Sequence, residues 1–138
     1  MQRIVVGIDG SEASRAALRW ALDEARLRGA EVDAVCSWSY PVFAHADGFV
    51  PLPTFAHDDL AKDARDTLEE ACRGLEAEGT VRRIIEEGPA AQCLLETAEG
   101  ADLLVVGSRG RGGFAGLLLG SVSQQCVQHA TCPVVVVH

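Results

Sequence analysis

The sequence predicts an α/β fold, an open doubly wound parallel five-stranded sheet with helices on both faces. Three observations carry this. Short, almost uninterrupted apolar runs recur along the 138 residues, and strands of that kind are buried on both faces, as in parallel sheets. Between them lie segments whose apolar residues recur at helical spacing. The two patterns alternate from end to end, and right-handed crossovers between parallel strands then give a layer wound in both directions.

The first strand spans Arg3–Ile8 and stops at Asp9-Gly10-Ser11. A helix follows over Glu12–Arg28, with Ser11 as N-cap, Gly29 as stop, and Ala17, Leu18, Ala21, Leu22 and Ala25 on one face. Val32–Trp38 is the second strand. The stretch Ser39–His57 holds Pro41, Pro51, Pro53 and Gly48 and predicts an irregular connection, of a length that is usually functional or mobile. The second helix is expected over Asp58–Ala77, ended by Gly79, with Leu60, Ala64, Leu68, Ala71 and Leu75 inward. Val81–Glu87 alternates weakly and predicts an edge strand. Gly88-Pro89 opens a third helix, with proline at its first position and Gly100 as its end. Leu103–Val106, Ser121–Ala130 and Val134–Val137 complete the series as strand, helix and strand.

The chain length suits one domain, spanning 1–138, that buries about two-thirds of its unfolded surface. Its net charge of −8 disfavours nucleic acid and anionic membranes as partners, since no basic field steers them in. No apolar run approaches the ~18 residues of a membrane span. The first residues pass straight into strand-like sequence without a leader pattern, so a cytoplasmic location is expected. Cys36, Cys72, Cys93, Cys126 and Cys132 form no CxxC pair and sit in apolar or helical contexts, where a free cysteine behaves as a small hydrophobe.

Chemistry concentrates after the fourth strand. Gly107-Ser108-Arg109-Gly110 begins a glycine-rich loop that continues through Arg111, Gly112 and Gly113 to Gly120-Ser121, where a helix opens. Glycines let backbone N–H groups approach an anion, and a helix N-terminus adds unbonded donors and the positive end of its dipole. Arg109 and Arg111 are the loop's only charged side chains, placed to add charge-assisted hydrogen bonds or to remain solvated at a loop tip. Ser121 and Gln124 have the spacing of an S-x-x-Q capping box. In doubly wound folds ligands sit beyond the carboxyl ends of strands where connections diverge. Asp9, at the end of the first strand, would face this loop if the first and fourth strands are neighbours. Asp9-Gly10-Ser11 is also a good turn in its own right.

Two better-known phosphate loops do not fit. A Walker loop needs GxxxxGK[S/T], and the single lysine, Lys62, lies on the second helix. Gly110-Arg-Gly112-Gly-Phe-Ala115 matches GxGxxA, but it follows the fourth strand, and no acidic residue comes after Asp102 to hold a ribose.

The spacing Gly-x2-Gly-x9-Gly-Ser resembles the nucleotide-binding signature of the universal stress protein family. The opening Ile4-Val-Val-Gly7-Ile-Asp9-Gly-Ser and the ending Gly120-Ser-Val-Ser with Cys132-Pro-Val-Val-Val-Val are similar to that family's first turn and last helix and strand. The resemblance implies strand order 3-2-1-4-5, a bound ATP, ADP or AMP, and a homodimer paired through Val134–Val137. It also implies that Gly107, Ser108, Arg109 and Gly110 wrap phosphates and ribose, and that Gly120, Ser121, Val122 and Ser123 finish the cradle. Gly7 and Asp9 would border it, Asp9 beside the ribose or a phosphate-bound Mg. The backbone of Cys36-Ser37 would read the adenine edge. No nucleophile elbow or positioned histidine supplies a catalytic group. Three functions stay open: a regulatory ATP-binding stress-response protein with little or no turnover, a slow ATPase or nucleotidyl-transfer enzyme, and a dimerisation module with a vestigial site.

Overall fold

A computed structural model describes residues 1–39, 43–45, 48–50, 56–75, 81–110 and 119–138. Strand β1 (Arg3–Gly7) leads through helix α1 (Glu12–Arg28) to strand β2 (Glu31–Trp38). Short strands β3 (Phe43–His45) and β4 (Gly48–Val50) precede helix α2 (Ala56–Cys72) and strand β5 (Val81–Glu87). Helix α3 (Ala90–Thr97), strand β6 (Leu103–Gly107), helix α4 (Ser121–His129) and strand β7 (Val134–Val137) complete the order. The main sheet is five-stranded, ordered β5-β2-β1-β6-β7, and parallel at every pairing. Counted without the small pair, that is the expected 3-2-1-4-5.

Alternation along each strand divides the core into two layers. Ile4, Val6 and Val105 pack with Leu18 and Leu22 of α1 and Leu68 of α2 on one face. Val5, Val35, Leu104 and Val106 pack with Leu94 of α3 and Cys126 of α4 on the other. Both faces are therefore covered, which is why the strands carry continuous apolar runs. The cysteines are free thiols, four buried and Cys132 intermediate. Burial pushes the Cys126 thiol up to about 11 and raises Cys93 and Cys132 as well, so they serve as packing groups rather than nucleophiles.

Helix α1 is capped as expected: Ser11 accepts from the Ser14 N–H at 3.1 Å, and Gly29 ends it at φ 65°. Several strand and helix ends shift by one residue from the sequence reading, and the larger departures have physical reasons. Helix α2 begins at Ala56 and ends at Cys72, because Gly74 turns left-handed at φ 81° within the span read as helix. Pro89 is the N-cap of α3, extended at ψ 139°, and not its first helical residue. That helix ends at Thr97, before Gly100. The stretch read as irregular contains the antiparallel pair β3–β4, with Phe43 opposite Val50.

At the amino ends of the strands, charge is enclosed. Asp33 of β2 is 1 % exposed. Its carboxylate accepts from Arg3 at 3.1 Å and from Arg82 at 3.1 and 2.7 Å. Those contacts raise the Arg82 guanidinium above its ordinary value, through the hydrogen bond first and the charge second. Arg3 also donates to the Thr97 and Glu99 carbonyls at the end of α3, the helix terminus that favours a cation. Asp102 accepts from the Gln2 and Arg3 N–H groups at 2.7 and 2.9 Å. Those two bonds hold its carboxyl below the usual carboxylate value.

Candidate functional site

Strands β1 and β6 are neighbours, with Ile4 opposite Leu103 and Val6 opposite Val105. From β1 the chain turns toward β2 on one side, and from β6 toward β7 on the other. This divergence is the switch point at which open α/β sheets form a crevice. A cavity of about 470 Å³ lies there. It brings together Gly7, Asp9, Ser37, Gly107, Arg109, Gly110, Gly120, Ser121, Val122 and Ser123.

The two sides of the opening are built differently. On the β1 side, Asp9 accepts from the Ser11 N–H at 2.9 Å and from the Ser11 hydroxyl. Ser14 donates to the Ser11 carbonyl at 3.0 Å and accepts from the Asp9 N–H at 3.3 Å. The start of α1 thus satisfies itself, and Asp9 is both turn-former and wall. On the β6 side, α4 has Gly120 as its N-cap, with φ −71° and ψ 167°. The first-turn N–H groups of a helix have no acceptor within it, and glycine has no side chain to supply one. The capping box read in the sequence does not form: Ser121 is the first helical residue, one position inside the cap.

Ser108 holds this half together from beneath. It is buried, donates its N–H to the Val137 carbonyl at 2.8 Å, and accepts from the Gly120 N–H at 2.6 Å. The Ser123 hydroxyl reaches the carbonyls of Ser108 and Gly120 at 3.1 and 3.0 Å. These bonds clasp the two ends of the glycine loop together. Close approach explains two of the glycines. A Cβ at Gly110 would stand 2.6 Å from Asp9 Oδ2, and one at Gly107 would stand 2.8 Å from the backbone of Ala13.

Two expected residues do not line the cavity. Ser108 lies below it, and Cys36 packs in the α1–α2 layer, while its neighbours Val35 and Ser37 line the crevice. Side chains alternate across a strand, so the Cys36 side chain turns to the opposite layer, while the contact expected at Cys36-Ser37 is one through the backbone. Arg111, Gly112 and Gly113 lie outside the described residues. The sequence reading missed Ile8, Ser14, Val35, Ala90, Leu94 and Val106. Ala90 and Leu94 share one helix face at four-residue spacing, a pattern that core residues show equally.

Chemically the crevice offers backbone and hydroxyl donors on the β6–α4 side and an apolar wall on the β2–α3 side. Among the described lining residues Arg109 is the one cation and Asp9 the one carboxylate, and no histidine, cysteine or lysine is present. Among the described residues no cluster of three metal-ligating side chains occurs, and no helix is long and apolar enough to cross a membrane.

Comparison with known proteins agrees with this architecture. The family model described as "Universal stress protein family" matches residues 1–138. A universal stress protein of Mycolicibacterium smegmatis is 41 % identical over 138 residues, covering 97 % of this chain and 45 % of the relative. The chain therefore spans about half the length of the curated relatives it matches. Among solved structures, a universal stress protein in complex with cAMP is 28 % identical with a TM-score of 0.75, covering 99 % of this chain and 97 % of that one. The universal stress protein from Archaeoglobus fulgidus in complex with dAMP has a TM-score of 0.73 at 23 % identity, covering 100 % and 98 %. The chain belongs to the universal stress protein family.

Proposed function

We propose that this member of the universal stress protein family is a regulatory module that binds an adenine nucleotide in the crevice between β1 and β6. One observation carries the reading. The expected glycine positions on both sides of the loop, the helix start at Ser121 and Asp9 all border one cavity of about 470 Å³. Gly107, Arg109, Gly110 and the N–H groups of Ser121, Val122 and Ser123 take the phosphates. The base extends toward β2, where Ser37 offers a polar edge. A structural relative of 28 % identity is described with cAMP, which supports an adenine ligand here.

In this reading ATP is the resident nucleotide, with ADP and AMP as competitors. Asp9 stands beside the phosphates, where Mg bridging to phosphate oxygens relieves repulsion between carboxylate and polyphosphate. The protein holds the nucleotide with little or no turnover. It acts as a single domain in the cytoplasm, where thiols stay reduced.

Denaturing the purified protein and identifying the released small molecules by mass spectrometry tests the assignment, followed by calorimetric titration with ATP, ADP and AMP, with and without magnesium. Binding of at least one is expected; heat from none overturns it. Steady ADP production above background would instead place the protein with the slow ATPases.

The same reading includes a homodimer. Strand β7 is an edge of the sheet, and its four valines are uncharged and only half-buried. A bare edge of that composition invites strand pairing, and a second copy would cover it. A monomer in light scattering at micromolar concentration excludes this.

A further inference from the structure

The apolar side of the crevice is formed by α3 as much as by the sheet. Leu94 lies directly on the end of β1: a Cβ at Gly7 would stand 2.8 Å from Leu94 Cδ1 and 3.2 Å from Cδ2. The absence of a side chain at Gly7 lets the leucine seat itself there. Leu94 is only 5 % exposed and is part of the α3–α4 core layer with Val35 and Val106, yet all three line the cavity. The end of that core layer is thus the crevice floor. Ala90, one helical turn before Leu94, lines the same wall and is half-buried.

Position relates this wall to the rest of the site. The donor groups belong to β6 and the start of α4, whereas Val35 lies on β2, with β1 between. Adjacent strands are about 4.8 Å apart, so the two walls stand roughly 10 Å from one another. That is the scale separating the phosphate of a nucleoside monophosphate from its base. A flat heteroaromatic ring gains from apolar contact on its faces, and an apolar pocket senses single methylene changes.

We propose that Ala90 and Leu94 are specificity-determining residues: Leu94, seated on Gly7, sets the depth of the base slot, and the small side chain of Ala90 keeps its mouth open. The inference rests on the nucleotide reading and deepens it. These residues select for the base and contribute nothing to phosphate affinity, which comes from the β6–α4 side. Ala90→Leu narrows the mouth without creating a cavity in the core. Leu94→Ala removes the floor but also costs core stability, so Ala90→Leu keeps the test sound if the Leu94 variant folds poorly.

The experiment compares AMP with ribose 5-phosphate, which lacks the base, on the full chain by ligand-observed NMR up to millimolar concentrations. For the unaltered protein AMP should bind more tightly. In Ala90→Leu, and in Leu94→Ala if folded, AMP affinity should fall about tenfold or more, since a misfit of a single methylene already costs that much and these changes alter three carbons. Ribose 5-phosphate binding should change by less than about twofold. Parallel loss of both ligands, or unchanged AMP affinity in Ala90→Leu, overturns the assignment of α3 and leaves nucleotide binding intact. Failure of AMP to bind the unaltered protein overturns this inference, whereas the nucleotide reading falls only if ATP and ADP fail to bind as well.

Discussion

The two ends of the parallel sheet handle polar groups in opposite ways. At the amino ends of the strands, Asp33, Arg3, Arg82 and Asp102 satisfy one another, the ends of α3 and the first backbone amides. At the carboxyl ends, α4 opens on a glycine cap and faces a cavity. All helices start at the carboxyl end and finish at the amino end, so positive dipole ends gather at the first and negative ends at the second. Arg3 answers the negative end internally. Of the positive ends, that of α1 is answered by Ser11 and Asp9, while that of α4 has no side-chain cap and opens on the cavity. One end of the sheet is thus closed on itself and the other open, and if the open end binds a nucleotide as proposed, substitutions at the two ends should separate stability from binding.

The largest effect belongs to the enclosed end. Arg3→Ala leaves the buried Asp33 carboxylate to Arg82 and removes the bonds to the Thr97 and Glu99 carbonyls at the end of α3, a loss of three charge-assisted hydrogen bonds that should cost about 3 kcal/mol in urea unfolding. AMP affinity should not change; a parallel loss of binding would mean that the two ends are coupled. Gly107→Ala is the case that crosses the division, because its Cβ meets the Ala13 backbone at 2.8–2.9 Å. It should lower stability by about 2 kcal/mol and weaken nucleotide binding, as overpacking shifts the loop against α1. Normal stability in thermal denaturation would show that the loop moves away freely.

Ser123→Ala removes the hydroxyl that bonds the Ser108 and Gly120 carbonyls, costing about 1 kcal/mol of stability. Nucleotide binding should weaken, since the clasp between the two ends of the loop is loosened. The smallest effect is at Asp102. Its carboxyl is lowered from 3.8 by the Gln2 and Arg3 amides, so its contribution to stability is complete above that value. It is lost as pH falls through the lower folded-state value. Asp102→Ala should therefore melt below the unaltered protein at pH 6, with the gap closing in strong acid; a gap independent of pH would assign the effect to packing.

Much of the fold was legible because burial on both faces writes continuous apolar runs into the sequence, as at Ile4-Val5-Val6 and Leu103–Val106. Boundaries were less so. Helix α2 is expected to run to Ala77 because Leu75 keeps the inward period, while Gly74 ends the helix by its backbone angle. The β3–β4 pair was hidden because strands of three residues carry too little alternation to detect. At the site, glycine spacing and Asp9 were visible as chemistry, whereas Val35, Ala90 and Leu94 were indistinguishable from core residues. At Cys36-Ser37, too, alternation is readable along the strand, but which of the two sets of side chains lines the crevice is not.

By itself the sequence determined the succession of strands and helices, the glycine loop with its helix start, and the carboxylate after the first strand. These are local properties, set by side-chain period and backbone freedom. Only the tertiary structure decided that β6 lies beside β1, that Ser108 and Ser123 clasp the loop, and that α3 supplies a wall of the crevice. Those facts depend on contacts between residues tens of positions apart, which packing alone brings together.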